Sequence, residues 1–367
     1  MESDYGLRIM NLLDSIVELS HEFGSPEYLK GGGGNTSAKN DDTLWVKPSG
    51  TTLADLRPES FVAMSRAKLA ELYEVTPPTE ACAREALVKD LMMAAVQSES
   101  LCRPSVEAPL HNSFSATYVV HTHPPLINGM TCANDGAETC RTLFSDALWI
   151  DYTDPGYTLS MRVREEIRAH AVRRGREPET VFLANHGVIV VGNMPERIRE
   201  VYSRIMNRLR DEYQKAGIAM ELKTGPMPSP ETIKTMTKRL RELLGKKNAA
   251  YVCADGKFRV AAGPVTPDHI VYMKSHPFFG EPTLEAVSAF CNESGYAPRV
   301  ISCDEGVFGL GTSEKNATLV LEMAKDSALV EQFAGAFGGI RYMSQREQDF
   351  IDNWEVEAYR RKVVADS

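Results

Sequence analysis

A carboxylate and three imidazoles, Glu107, His111, His121 and His123, fall in one short stretch of a chain that has eight histidines. The apolar, β-favouring run Tyr118-Val119-Val120 leads into His121 and reads as a strand. Side chains alternate along a strand, so His121 and His123 face the same way and Thr122 faces the other. Pro124 and Pro125 then break the strand. Two imidazoles on one face are a natural pair of metal ligands. A third candidate is His186, in the polar triplet Asn185-His186-Gly187 between the apolar runs 181–184 and 188–191. A buried imidazole without a partner is costly, so His186 is expected to have one. Three neutral imidazoles with an open position are the usual arrangement of a catalytic zinc.

Two donor-rich turns suit an anion. The first, Gly31-Gly32-Gly33-Gly34-Asn35-Thr36-Ser37, lacks Cβ atoms over four residues, so its backbone can approach a ligand closely and its N–H groups can form an anion nest. It has neither the Gly-Lys-Ser/Thr ending of a Walker A loop nor the spacing and context of a dinucleotide site. The second, Pro48-Ser49-Gly50-Thr51, ends the strand 43–47. Turns on neighbouring strands would face one site. Ser105 reads as a helix N-cap with Glu107 in the first turn, which puts Glu107 and His111 on one helix face. The simplest reading of His111 is a core histidine hydrogen-bonded to Glu107.

The elements that position these residues follow from periodicity. Helices are expected over 4–23, 58–73, 79–98, 159–174 and 195–215, and strands over 43–47, 118–121, 147–152 and on both sides of Asn185-His186. The pattern describes an α/β sandwich around a central, mainly antiparallel sheet. Pro226, Pro228 and Pro230 mark a linker. It separates a catalytic domain, 1–222, from a smaller C-terminal α/β extension, 230–367. In the extension, helices are expected over 230–245, 282–294, 314–336 and 344–363, with strands near 249–261 and over 298–303. The glycine-rich stretch 304–313 reads as a turn between strand and helix. Pro267-Asp268-His269 and Lys274 are polar enough to reach an active site.

The 367 residues can bury a sizeable core, and a net charge of −9 disfavours nucleic acid or an anionic membrane as a partner. No apolar run is long enough to span a bilayer, and residues 1–23 lack a signal-peptide pattern. Seven widely spaced cysteines without Cys-x-x-Cys fit reduced thiols. A cytoplasmic enzyme is expected.

Taken in order, Gly-Gly-Asn-Thr-Ser, Lys-Pro-Ser-Gly-Thr, Ser-Val-Glu-Ala-Pro-Leu-His, Val-Val-His-Thr-His-Pro and Asn-His-Gly-Val-Ile-Val resemble the motifs of the class II aldolase/adducin family over residues 8–215. With Thr266-Pro267-Asp268-His269, the whole chain resembles the aldolase half of bifunctional rhamnulose-1-phosphate aldolase/alcohol dehydrogenases, standing without the dehydrogenase. The resemblance implies a layered α/β/α fold and cleavage of a ketose 1-phosphate to dihydroxyacetone phosphate and an aldehyde. It assigns His121, His123 and His186 to Zn2+ or another divalent metal, and Glu107 to acid/base catalysis. Asn35, Ser49, Gly50 and Ser105 match positions that bind the substrate phosphate. A homotetramer acting on a small sugar phosphate is implied. Val106 stands where relatives carry a second serine, and Tyr152 and Tyr157 are the nearest candidates for a leaving-group acid. The chemistry is coherent: breaking the C–C bond beside a ketone leaves an enediolate, which a metal stabilises as a Lewis acid while a carboxylate moves the proton. Partial burial is expected to raise the pKa of that carboxylate. Epimerases, dehydratases and decarboxylases of the family use the same site. A non-catalytic adducin-like module would not keep Glu107 and all three histidines.

Overall fold

The computed structural model describes residues 2–97 and 102–354. The chain divides into two compact units, Met1–Ile127 with Ala137–Arg208, and Asn128–Gly136 with Leu209–Ser367. The first unit thus closes at Arg208, inside a helix, whereas composition places the linker at 223–230.

In chain order the first unit contains α1 (Glu2–Phe23), β1 (Asn35–Lys39), β2 (Thr43–Val46), β3 (Val62–Ser65), α2 (Arg66–Glu71), α3 (Ala81–Ala95), α4 (Ala108–Asn112) and β4 (Tyr118–Thr122). There follow α5 (Pro125–Thr131), α6 (Gly136–Leu143), β5 (Leu148–Ile150), α7 (Tyr157–Arg174), β6 (Thr180–Leu183), β7 (Gly187–Gly192) and α8 (Pro195–Lys215), with the ends of α5 and α8 running into the second unit. The strands form one sheet in the order β3-β2-β1-β4-β7-β6-β5. Every pairing is antiparallel except β5 with β6. The central strands are buried on both faces, as helices on each side require. Val119, Val181, Ile189 and Val191 pack with α4 and α7 residues Leu110, Leu159, Val163 and Ile167. On the other face Ser20 of α1 bonds Thr36 at 2.7 Å, and Thr122 bonds Tyr202 of α8 at 2.8 Å. Thr122 therefore points away from its histidine neighbours, as the alternation predicts.

The segment 58–73 is not one helix. A short 3-10 turn, Pro58–Ser60, precedes β3 and α2. Val62 and Met64 are buried while Ala63 and Ser65 are half-buried, which is the period of an edge strand rather than of a helix.

The second unit holds α9 (Pro230–Leu244), β8 (Tyr251–Asp255), α10 (Pro267–Met273), β9 (Phe278–Phe279), α11 (Leu284–Ser294), β10 (Val300–Cys303), β11 (Gly306–Gly311), α12 (Glu314–Ala334) and α13 (Gln345–Asn353). Its sheet runs β8-β11-β10-β9 around a core of Leu240, Phe278, Ile301, Phe308 and Leu310. The glycine-rich stretch expected as a turn is strand β11, hairpinned to β10. Glycines at 306, 309 and 311 hide a strand from periodicity because they leave no side chain to alternate. The expected end of the last helix, to 363, lies outside the described residues.

The four-stranded sheet repeats the order and orientation of β4-β7-β6-β5. Tyr118 pairs with Gly192 in one and Tyr251 with Gly311 in the other, and each register continues residue for residue through five pairs. The helix before the hairpin ends at a left-handed glycine in both, Gly175 and Gly295. The helix after it is 21 residues long in both. A Cβ on Gly187 would lie 2.4 Å from Thr122 O, and one on Gly306 would lie 2.5 Å from Asp255 O. The same backbone approach is therefore built twice.

Candidate metal centre

β4 delivers His121 to the face opposite Tyr202, and His123 follows where Pro124 and Pro125 end the strand. The β6–β7 hairpin brings His186 beside them. Its tip bends through Asn185 at φ 50°, a left-handed position that asparagine tolerates better than most residues. Gly187 is required next because any Cβ there would strike Thr122 O and the His123 ring. The three imidazole centroids are 4.8, 4.9 and 4.9 Å apart, close to an equilateral triangle. His121, His123 and His186 each offer a ligand atom within one small cluster.

Two details fit a cation. His121 donates from Nδ1 to Glu107 Oε2 at 3.0 Å, which leaves its Nε2 as a lone pair. That Nε2 lies 3.2 Å from His123 Nε2. Two nitrogens bound to one tetrahedral zinc are separated by about 3.3 Å, given metal–nitrogen bonds of about 2.05 Å. A carboxylate fixing the far nitrogen of a ligand histidine is also the usual support of such sites. The donor set therefore fits a divalent metal.

Glu107 is buried. It is the N-cap of α4 rather than a first-turn residue, with φ −90° and ψ 5°. Asn35 donates its side-chain amide to Glu107 Oε2, and Oε1 lies 3.9 Å from His186 Nε2. Burial pushes the carboxyl pKa up, as expected. It is outweighed by the hydrogen bond of His121 and by the charges that His121, His186 and His111 carry once protonated at low pH, so the pKa lies well below the ordinary range. The expected net rise is thus reversed, because the neighbouring imidazoles favour the ionised form more than burial opposes it.

His111 shares this environment but does not hydrogen-bond to the Glu107 side chain. Its Nδ1 meets Ser37 Oγ at 2.8 Å, and burial pushes its pKa down to about 3, so it is neutral. It belongs to the core support, with Ser37 as partner instead of the predicted glutamate.

The anion-suited turns come together at one end of the β1–β2 hairpin. Ser49 N donates to Arg103 O at 2.8 Å, and Ser105 N donates to Lys47 O at 3.0 Å. The two segments therefore lie side by side. Ser105 Oγ accepts from Glu107 N at 3.3 Å, and Gly50 takes φ 85°. Asn35, Ser49, Gly50 and Ser105 thus flank Glu107 on adjoining segments, with the Asn35 nitrogen already engaged by the carboxylate. Sequence reasoning passed over Lys47 although it opens the Lys-Pro-Ser-Gly-Thr motif. It is 2% exposed, and its Nζ donates to Gly32 O in the glycine-rich loop at 3.3 Å. A lysine closing a β-strand and followed by Pro-Ser-Gly was the available signal. Tyr157 packs into the core around Ala108, and Tyr152 is half-buried in the β5–α7 loop.

In the second unit, register places Ala254 and Gly256 at the positions of His121 and His123. Glu305 precedes the hairpin glycine as His186 does. His269 is buried there, 2.7 Å from Thr266 Oγ1 and 3.3 Å from Asp326.

The profile of the Class II Aldolase and Adducin N-terminal domain matches residues 14–207, more than half of the chain. A protein of Bacillus subtilis named "Uncharacterized oxidoreductase YuxG" is 27% identical over 206 residues, 53% of this chain. The match spans only 28% of that relative's length. Among solved structures, the N-terminal class II aldolase domain of a conserved Thermoplasma acidophilum protein is 22% identical with a TM-score of 0.47, covering 54% of this chain and 92% of its own. L-fuculose-1-phosphate aldolase from Thermus thermophilus is 15% identical with a TM-score of 0.37, covering 57% and 97%.

Proposed function

The chain belongs to the class II aldolase and adducin family, and from that premise we propose that it is a metal-dependent aldolase. Its reaction is cleavage of a ketose 1-phosphate resembling rhamnulose 1-phosphate into dihydroxyacetone phosphate and an aldehyde. The observation that carries this reading is the buried Glu107 carboxylate, hydrogen-bonded to one of three converging imidazoles.

His121, His123 and His186 would hold the metal. A divalent cation held there would supply Lewis-acid stabilisation of negative charge developing on the substrate. The remaining work falls to the chain. Asn35 and His121 fix one oxygen of Glu107, leaving Oε1 as the atom that takes and returns a proton at the dihydroxyacetone phosphate carbon. The buried carboxylate, held in place by Asn35 and His121, is positioned to act as the base. The glycine-rich loop, Ser49, Gly50 and Ser105 offer backbone and hydroxyl donors to the phosphate, and Lys47 adds positive charge beside them. A homotetramer is proposed with the activity.

The test is hydrogen exchange of dihydroxyacetone phosphate in D2O, followed by NMR with zinc-loaded protein. Loss of one stereospecific hydrogen at the carbinol carbon is expected. Glu107→Gln should slow it about 10²- to 10⁴-fold when wild type and variant are compared at full metal occupancy. Absence of exchange from protein carrying a full complement of metal would overturn the reading and turn attention to epimerase, dehydratase and decarboxylase substrates.

A further inference from the structure

The face of the first unit's sheet that lies against α1 and α8 carries hydroxyls where apolar side chains would pack as well. Thr122 and Tyr202 are both buried, and their oxygens stand 2.8 Å apart. The Tyr202 hydroxyl also reaches Val120 O at 3.4 Å. Val120 and Thr122 bracket His121 on β4, so one phenol touches the strand on both sides of a candidate ligand. The Tyr202 ring has a second route to the site. It lies 5.6 Å from the Tyr28 ring, and the Tyr28 carbonyl accepts from His123 N at 3.1 Å.

The same construction recurs on β1. Thr36 is flanked by Asn35, which donates to Glu107, and by Ser37, which meets His111. On the opposite face Thr36 Oγ1 lies 2.7 Å from Ser20 Oγ, and both groups are fully buried. Asn35 pairs with His121 across the sheet, so the two hydroxyl pairs stand behind neighbouring parts of one site. The second unit supplies a comparison in which the histidines are missing. Tyr202 and Leu321 each lie ten residues past the glycine that ends the hairpin, Gly192 or Gly311. The helices keep that register, because Gly192 approaches Ile198 and Gly311 approaches Ala317, each six residues on. Leu321 is buried like Tyr202 but offers no hydrogen bond. Thr122 falls at Asp255, whose carboxylate pairs with Lys325 at 2.6 Å. Packing this helix on this hairpin therefore does not require a tyrosine.

We propose that Tyr202 is a positioning residue for the metal ligands, holding β4 at Thr122 and the 28–123 contact so that His121 and His123 converge. The inference rests on the metal reading of the three histidines and extends it to the opposite face of the sheet. A buried hydroxyl pair adds little stability over an apolar pair of the same shape, since both groups give up water to form it. Its hydrogen bond is directional, however, and fixes where the strand lies. Groups that orient metal ligands are worth about 10- to 100-fold in metal affinity. Here the orientation is transmitted through the backbone of β4 rather than through a ring nitrogen.

Titration of the metal-free full chain with Co2+ tests it, because the titration gives affinity and the visible spectrum of the bound ion reports ligand geometry. The variants are Tyr202→Phe, which removes one oxygen and keeps the ring, Thr122→Val, and the two combined. Tyr202→Phe is expected to weaken Co2+ binding about tenfold and to alter the spectrum. It also strands the Thr122 hydroxyl, so the Tm of the metal-free protein should fall. In the combined variant the contact is apolar on both sides. Its Tm should recover while Co2+ binding stays about tenfold weaker than in wild type. Ser160→Ala removes a buried hydroxyl bonded to Gly156 O on α7 and should leave affinity and spectrum unchanged. Wild-type affinity and spectrum in Tyr202→Phe would overturn the inference while the metal reading stands. Recovery of affinity together with Tm in the combined variant, or an equal loss of affinity in Ser160→Ala, would also overturn it, since the tyrosine would then serve the fold alone. A wild type that takes up no Co2+ removes the metal reading and this inference with it.

Discussion

At Glu107 the local charges decide what the residue can do. An isolated buried carboxyl would hold its proton, but three imidazoles around it reverse that preference. The same neighbourhood contains a second displaced group. Lys39 is fully buried on β1, donating to His111 O at 2.7 Å and Phe114 O at 3.0 Å. Burial, helped by the charge of Arg66, lowers its pKa from 10.5 to about 7. The unfolded chain therefore binds more protons than the folded one between those values, and Lys39 makes stability rise with pH across that window. Above it the neutral amine still donates to both carbonyls, and below about pH 7 the contribution is gone. Lys39→Met should remove this dependence, worth on the order of a few kcal/mol across the window. Denaturation midpoints of wild type and variant, compared from pH 7 to 10, should diverge as pH rises. Parallel curves would show that Lys39 titrates normally.

The β6–β7 hairpin concentrates the demands made on a single element. Gly187 must lack a side chain for β7 to lie against Thr122 and for the His123 ring to keep its place. Gly187→Ala should cost about 1–3 kcal/mol through overpacking and displace His123. Metal content after dialysis should fall with it. Gly306→Ala meets the same kind of backbone obstacle and also a positive φ of 149°, so it should lower the Tm while leaving metal content unchanged. The two together separate damage to the centre from damage to the fold. Much of this was legible in the sequence: a polar triplet interrupting two apolar runs is conspicuous, and His-x-His on a strand fixes both side chains to one face. What was not legible has physical causes. β3 is four residues long and lies at the sheet edge, so alternation had little length in which to register. β11 has glycine at three of its six positions, which leaves little alternation to read. The partner of His111 is Ser37, 74 residues away in sequence, and the direction of the Glu107 shift depends on packing that spacing alone does not encode.

For the whole molecule, a metal bound by the folded chain and not by the unfolded one stabilises it by mass action. Zinc at a hundred times its dissociation constant should add about 2.7 kcal/mol, read as a rise in Tm over chelator-treated protein. A His123→Ala variant should lose that increment, and retention of the full shift would place the metal elsewhere. No helix among the described residues is long and apolar enough to cross a membrane. The remaining consequence comes from the sheet that is built twice. Tyr118 and Tyr251, Gly187 and Gly306, and Gly192 and Gly311 coincide by register, while His121, His123 and His186 face Ala254, Gly256 and Glu305. The chain thus carries a two-row alignment of itself. The glycines common to both rows mark where the backbone leaves little or no room for a side chain, and the three histidines belong to the first row alone.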